Sequence, residues 1–325
     1  MNTYRVSCPA KINLFLHITG KRADGYHNLQ TVFRLIDLCD TLTATVLPAQ
    51  RKPKQASAAL DVLDFVNLSC DTPITDDICN NLIIKAAAAL LARACQTLSP
   101  SQIAALPSIN LHLTKRIPMG AGLGGGSSDC ASVLLLLNQI WQLGLQNDEL
   151  QAIGATLGAD VPIFIVGQDA MAEGIGEQLT PIDLPPQRFL LLMPDAHINT
   201  ARLFAHHDLR RDCPVLPLAE IRLRQSDYLN SLNAPFGNVF EPVVSQLSKP
   251  VQHALDYLNT LGQITHTTAR LTGSGGSVFL PLSAAITADA EQTWQQQAPC
   301  RAAIVQTLPV SGKKTDIFLP KNLAF

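Results

Sequence analysis

Residues 118–129 read PMGAGLGGGSSD, five glycines and two serines that run straight into the apolar stretch CASVLLLLNQIW. Glycines let the backbone turn through positive φ and let a ligand approach where a Cβ would collide. The N-terminus of a following helix adds unpaired N–H groups and the positive end of its dipole. Together these make an anion site, most often one for phosphate. A Gly/Ser linker has a similar composition, but linkers seldom lead directly into a helix with a buried face. A Walker loop needs a lysine that is absent within or just after this stretch. The dinucleotide pattern G-x-G-x-x-G is formally present as Gly120, Gly122 and Gly125. Yet Lys115, Arg116 and Pro118 separate the preceding strand from the glycines, and residues 140–146 hold no acidic residue to meet a ribose. The candidate contacts to a phosphate-bearing cofactor are therefore Pro118, Met119, Gly120, Ala121, Gly122, Leu123, Gly124, Gly125, Gly126, Ser127 and Ser128. Ser127 or Ser128 can instead serve as a helix N-cap.

Other residues bear chemistry elsewhere in the chain. In PAKINLFLHI, Lys11 and Asn13 share one face of a strand if Ile12, Leu14 and Leu16 face a core; a solvated lysine is the plainer reading of Lys11. Tyr26 and His27 lie on the turn-rich stretch GKRADGYHNLQT, where an aromatic and a histidine can stack on and hydrogen-bond a base, or simply form a loop tip. Asp160 in LGADVP is a carboxylate available as a general base, although an aspartate in such a turn often only caps it. Gly273, Ser274 and Gly275 form a second glycine loop, readable alone as a tight hairpin.

The elements that position these residues follow from pattern. Alternation predicts a strand over 3–20 with a bulge or edge position at Pro9, and a second over 32–47. Residues 48–76 read as a loop with one short strand. A helix is expected over 80–97, capped or preceded by Asp76 or Asp77, and residues 98–107 read as a loop. SINLHLTKRIP is a strand delivering Lys115 and Arg116 to the mouth of the glycine loop. Helices are expected over 127–143 and 147–157, then a turn and strand pairs through LGADVPIFIVGQDAMAEGIGEQL. FLLLMPD, RLTGSGGSVFLPL and AAIVQTLPV supply strands, with helices over 199–206, within 238–261 and over 284–297. Two α+β domains result, 1–165 and 166–325.

With 325 residues, 47% hydrophobic and 15% charged, the chain can bury a sizeable core. A net charge of −2 argues against a general nucleic-acid binder. Eight cysteines without C-x-x-C spacing, no leader-like N-terminus and no long apolar run point to a reduced, cytoplasmic protein off the membrane.

PMGAGLGGGSSD closely resembles the phosphate-binding loop of the galactokinase/homoserine kinase/mevalonate kinase superfamily, whose ATP phosphates are held without a Walker lysine. Residues 9–33, 157–164 and 270–279 resemble one branch of it, which phosphorylates a cytidine diphosphate-linked methylerythritol in the non-mevalonate isoprenoid pathway. The resemblance runs end to end and is weakest near 48–76 and 97–107. It implies a two-domain α+β kinase with its site in the interdomain cleft, ATP as donor and Mg²⁺ alongside it, acting as a monomer or homodimer. It implies Asp160 as base with Lys11 as its partner, Asn13 at the substrate hydroxyls, and Tyr26 and His27 at the cytosine. Thr200 and Phe204 would complete the base site from the second domain, unless Phe204 is an ordinary core aromatic; Gly273, Ser274 and Gly275 would close over phosphates. No metal ligand is assigned. Asp129 departs from the pattern, standing where a neutral Asn is expected in most relatives. Another small-alcohol kinase would not need the Tyr26–His27 loop, and a non-catalytic nucleotide binder would not need Lys11 and Asp160.

Overall fold

Alternating apolar residues draw the chain into β1 (Thr3–Lys21), which pairs antiparallel with β2 (His27–Leu47) along its length. The structure is a computed structural model and describes residues 2–49, 60–73, 75 and 77–309. β2 pairs on its other side with β4 (Ser108–Thr114), which pairs in parallel with β3 (Val66–Cys70). Further along, β2 takes β5 (Ala170–Glu173) and then β6 (Gln178–Pro181), giving a six-stranded sheet. Its helices are α1 (Leu82–Thr97), α2 (Pro100–Ala105), α3 (Gly125–Ile140), α4 (Asn147–Leu157) and α5 (Val161–Val166).

The second sheet has the order β10 (Arg301–Gln306), β7 (Arg188–Met193), β9 (Val278–Leu282) and β8 (Arg270–Leu271). Around it lie α6 (Thr200–Ala205), α7 (Leu218–Leu223), α8 (Ser226–Leu229), α9 (Glu241–Leu247), α10 (Lys249–Thr265) and α11 (Ala288–Gln297). The architecture is α+β with two sheets, and among the described residues no helix is long and apolar enough to cross a membrane.

β1 connects three apolar cores. Val6 and Cys8 enter the one under α1 and α3; Ala10, Ile12, Leu14 and Phe15 enter a second; Leu16 and Ile18 enter a third with α9 and α10. Register shifts at Pro9/Ala10 and between Asn13 and Leu16 break the alternation, so the neighbours Leu14 and Phe15 share a core. The first shift is the bulge expected at Pro9. A solvated face for Lys11 and Asn13 does not form: they are 3% and 1% exposed.

Four local expectations are corrected. Asn81 caps α1 through the Ile83 N–H, while Asp77 caps the short 3₁₀ turn before it; Asp76 lies outside the described residues. Residues 98–107 contain α2, secured by a Ser99–Gln102 capping box. VPIFIV is helical rather than strand, since Pro162 suits a first helical turn and Gly167 ends it in the left-handed region. Neither Ser127 nor Ser128 caps α3; Gly124 does, at φ +71°.

Arg270 ties the halves together. Fully buried, it donates to the carbonyls of Leu14, Tyr228, Leu229, Asn230 and Thr268. Arg270→Ala strands several buried carbonyls, and urea denaturation is expected to show a loss of at least about 3 kcal/mol. A loss within experimental error of zero would contradict this account of the core.

Candidate active site at the junction of two cavities

The glycine loop is fixed by backbone contacts that exclude side chains. Gly122 (φ +80°) packs so closely on the second glycine loop that a Cβ would stand 2.7 Å from the Thr272 carbonyl and 2.9 Å from the Gly275 nitrogen. The Ser277 N–H also donates to the Ala121 carbonyl at 3.2 Å. Gly124, also left-handed, faces Phe164 of α5 and the Lys11 stem, which a Cβ would meet at 2.9 and 3.2 Å. The Lys11 N–H donates to the Leu123 carbonyl at 3.0 Å, so the loop is docked on β1 itself.

Lys11 Nζ donates to Asn13 Oδ1 at 2.8 Å, pairs with Asp160 Oδ2 at 3.4 Å and stands 5.1 Å from the centre of the Phe33 ring. Asn13 is locked in turn by Thr31, which accepts from its Nδ2, and by Thr272, which accepts from its N–H. Asp160 occupies the N-cap position of α5, yet its carboxylate caps nothing and is about one-third exposed. The cap reading of this aspartate therefore gives no account of its side chain. Its carboxylate faces Lys11.

The His27 ring is buried, stacks on Phe204 (centroids 5.0 Å, planes 23° apart) and leaves Nε2 without a partner among the described residues. Burial, aided by the charges of Arg211 and Lys21, holds its pKa below the usual imidazole value, so the ring is neutral at pH 7. Phe204 also meets Phe240 edge-on. Arg211 fixes the loop after α6 by donating to the Phe204 and His206 carbonyls at 2.7 and 2.8 Å. Tyr26 stands 62% exposed on the neighbouring turn. Thr200 and Ser274 share a 3.1 Å hydrogen bond between α6 and the second glycine loop.

Two cavities meet here. One, about 640 Å³, is lined by Lys11, Asn13, Tyr26, His27, Asp160, Thr200, Phe204, Gly273 and Ser274. The other, about 380 Å³, is lined by every loop residue from Pro118 to Ser127 and extends to Asn80 and Leu82 at the start of α1. Ser127 is the one residue lining both. Two expected contacts stand apart from them: Ser128 is fully buried with its hydroxyl unpartnered, and Gly275 is packed on Gly122. The residues not anticipated are Thr31 and Thr272, which lock Asn13, and the Asn80–Leu82 end of the smaller cavity. A helix start capped by Asn81 was the signal for the last.

Residues 81–168 match the family model described as the GHMP kinases N terminal domain. A 4-diphosphocytidyl-2-C-methyl-D-erythritol kinase of Psychrobacter cryohalolentis is 52% identical over 92% of this chain and 95% of its own. One of the same name from Acinetobacter baylyi is 41% identical over 96% and 99%. The chain belongs to the 4-diphosphocytidyl-2-C-methyl-D-erythritol kinases. A crystal structure of a 4-(cytidine 5'-diphospho)-2C-methyl-D-erythritol kinase superposes with TM-score 0.68 at 29% identity, covering 94% of this chain and 99% of the other. A homoserine kinase from Cytophaga hutchinsonii, 14% identical with TM-score 0.61 over 95% of each chain, shares the fold. The family's kinases of this superfamily use ATP as phosphate donor.

Gly122→Ala imposes a left-handed alanine against Thr272 and Gly275, a strain of about 1–3 kcal/mol. In this kinase the expected reading is a KM for ATP raised about tenfold, checked by steady-state kinetics; an unchanged KM would contradict the interlocked loops.

Proposed function

We propose that the chain transfers the γ-phosphate of ATP to the 2-hydroxyl of 4-diphosphocytidyl-2-C-methyl-D-erythritol, giving the 2-phosphate and ADP for isoprenoid precursor synthesis. The observation that carries this reading is the pair of cavities joined at Ser127. One is walled by a phosphate loop, and the other holds the Lys11–Asp160 pair and an aromatic slot. In this reading 1–165 holds the donor and 166–325 completes the acceptor site through Thr200, Phe204, Gly273 and Ser274. The family membership supports the acceptor.

The donor phosphates lie along the loop backbone and the N-terminus of α3, with the γ-phosphate near Ser127. The acceptor hydroxyl is tertiary and crowded, and Asp160 accepts its proton as the phosphoryl group arrives. Lys11 pairs with that carboxylate and offsets the charge on the developing alkoxide and the transferring group. Asn13, immobilised on both sides, orients the acceptor hydroxyls. The cytosine enters beside the neutral His27 ring, whose open Nε2 reads its edge, with Tyr26 and Phe204 as apolar walls.

Mg²⁺ accompanies ATP and neutralises phosphate charge. Among the described residues the carboxylates lining the two cavities are Asp160 and Asp129, each engaged by a lysine, so these two do not form a metal cage and no step is assigned to one. Eight cysteines without a disulfide support a cytoplasmic setting. Another small-alcohol acceptor is the second reading, and the Tyr26–His27 slot argues against it.

Three measurements test the proposal. ADP release with the diphosphocytidyl acceptor should far exceed that with homoserine, galactose or mevalonate; no turnover with the cytidine compound would defeat the assignment. Asp160→Asn should lower kcat by at least about a hundredfold and leave ATP binding nearly intact. Wild-type turnover in that variant would require another base. Tyr26→Ala should raise KM for the cytidine substrate much more than for ATP, and an equal effect on both would remove Tyr26 from the base site.

A further inference from the structure

Beneath the phosphate loop lies a buried cluster that the chemistry above does not use. Lys115, directly after β4, donates from Nζ to Asp40 Oδ2 of β2 and to Asp129 Oδ2 of α3, the latter at 2.9 Å. All three are almost wholly buried. The two carboxylates are not equivalent. Asp40 is saturated, its Oδ1 also accepting from the Arg116 and Ile117 N–H groups at 2.5 and 2.8 Å. Asp129 has Lys115 as its one nitrogen donor, with the Cys8 thiol as a weak second donor to the carboxylate, and its buried Oδ1 makes no hydrogen bond of ordinary geometry. Lys115 and Asp129 both line the smaller cavity, and Lys115 Nζ lies 3.3 Å from where a Gly125 Cβ would stand.

With both aspartates ionised, the cluster carries one net negative charge below a site read as holding a polyanion. Its other titratable neighbours are Cys8 of β1, Cys39 of β2, Cys70 of β3 and the adjacent Cys130, while the exposed Asp71 accepts from the Lys115 N–H at 3.0 Å. Burial pushes all four thiols up, Cys39 and Cys130 to about 12, so none adds charge at neutral pH. α5 contains no titratable residue, and Lys85 of α1 is exposed. A proton entering the cluster therefore has one destination, the unpartnered Oδ1.

We propose that Lys115, Asp40 and Asp129 form a proton-linked counter-charge for the donor nucleotide. ATP binding at the loop draws a proton from solvent onto Asp129 Oδ1 wherever that carboxylate is still ionised, and the cluster becomes neutral. This rests on the reading of the loop as the ATP phosphate site. The proton forms an O–H bond on the carboxylate, no other bond changes, and Lys115 keeps its charge. Asp129 acts on the donor through charge and through its hold on Lys115; it is a positioning residue and takes no part in the transfer.

The protonation equilibrium lies in the useful range. Desolvation pushes the Asp129 pKa up to about 7, with Asp40 adding to the rise and Lys115 opposing it. For Lys115, burial works against the charge, but its two aspartates outweigh it and hold its pKa above the usual value. A bound triphosphate disfavours the ionised carboxylate further. The complex then binds more protons than the free protein near pH 7, so ATP affinity falls as pH rises through that value.

The test compares wild type with Asp129→Asn, a neutral side chain of the same shape. Calorimetric titration with a Mg²⁺-saturated non-hydrolysable ATP analogue, in buffers of different ionisation enthalpy, counts protons taken up. The nucleotide's own titration cancels between the two proteins. Wild type should take up about half a proton more than the variant near pH 7, because about half of its Asp129 is already protonated before binding. Its KM for ATP should rise about five- to tenfold from about pH 6 to about pH 8 relative to the variant. Equal proton counts with parallel pH profiles would overturn the proposal. Should Asp129→Asn not fold, difference infrared spectroscopy of wild type replaces it. A protonated-carboxyl band appearing on nucleotide binding supports the proposal, and its absence overturns it. Failure of wild type to bind the analogue at all would remove the loop assignment and this inference together, whereas normal binding without proton uptake removes the inference alone.

Discussion

An ammonium buried to 3% exposure must be matched by acceptors, and the site is arranged around that requirement at Lys11. Its partners come from different parts of the fold: Asn13 from the same strand, Asp160 from the start of α5, and the Phe33 face from β2. Each partner is itself restrained. Asn13 is held by Thr31 and Thr272, and Asp160 sits on a helix begun by Val161-Pro162 and stopped by Gly167. Satisfying one charge thus brings β1, β2, α5 and the second glycine loop to a common point. That common point sets a carboxylate beside a cation, the arrangement on which the proposed phosphoryl transfer rests.

The second constraint is steric. Gly122 and Gly275 meet at backbone distance, and Gly124 lies against Phe164 and the Lys11 stem. A side chain at Gly122 or Gly275 would hold the two glycine loops apart, and the donor and acceptor cavities would no longer share Ser127. The loop's glycines thus do more than present N–H groups. They let one loop rest on another while the Leu123 carbonyl stays bonded to the strand carrying Lys11.

Local signals made much of this readable before any coordinates. The glycine run before an apolar helix marked the loop that walls the smaller cavity, alternation marked the long strands, and short motifs named Lys11, Asn13, Tyr26, His27 and Asp160, which the fold gathers round the larger one. What escaped was non-local. Nothing in residues 9–18 announces that β1 is covered on both faces, because that depends on cores assembled from segments some 200 residues away. VPIFIV has the composition of a strand, and its helical state is decided by Pro162, Gly167 and packing on α3. Thr272 is an unremarkable threonine until folding sets it on Asn13 across 259 residues.

Two lysine–aspartate constellations flank the loop, and their difference is instructive. Lys11 faces one carboxylate that stays about one-third exposed, so Asp160 can both hold the cation and meet a substrate proton. Lys115 faces two carboxylates sealed from solvent, and of these Asp129 alone has an oxygen left over. The same residue types therefore serve opposite ends. On the open side the proposed role of the pair is to exchange a proton with the acceptor during transfer. On the closed side the surplus carboxylate has no access to the acceptor, and it can respond only to the charge placed above it. Burial and the number of carboxylates, more than residue identity, set the two proposed roles apart.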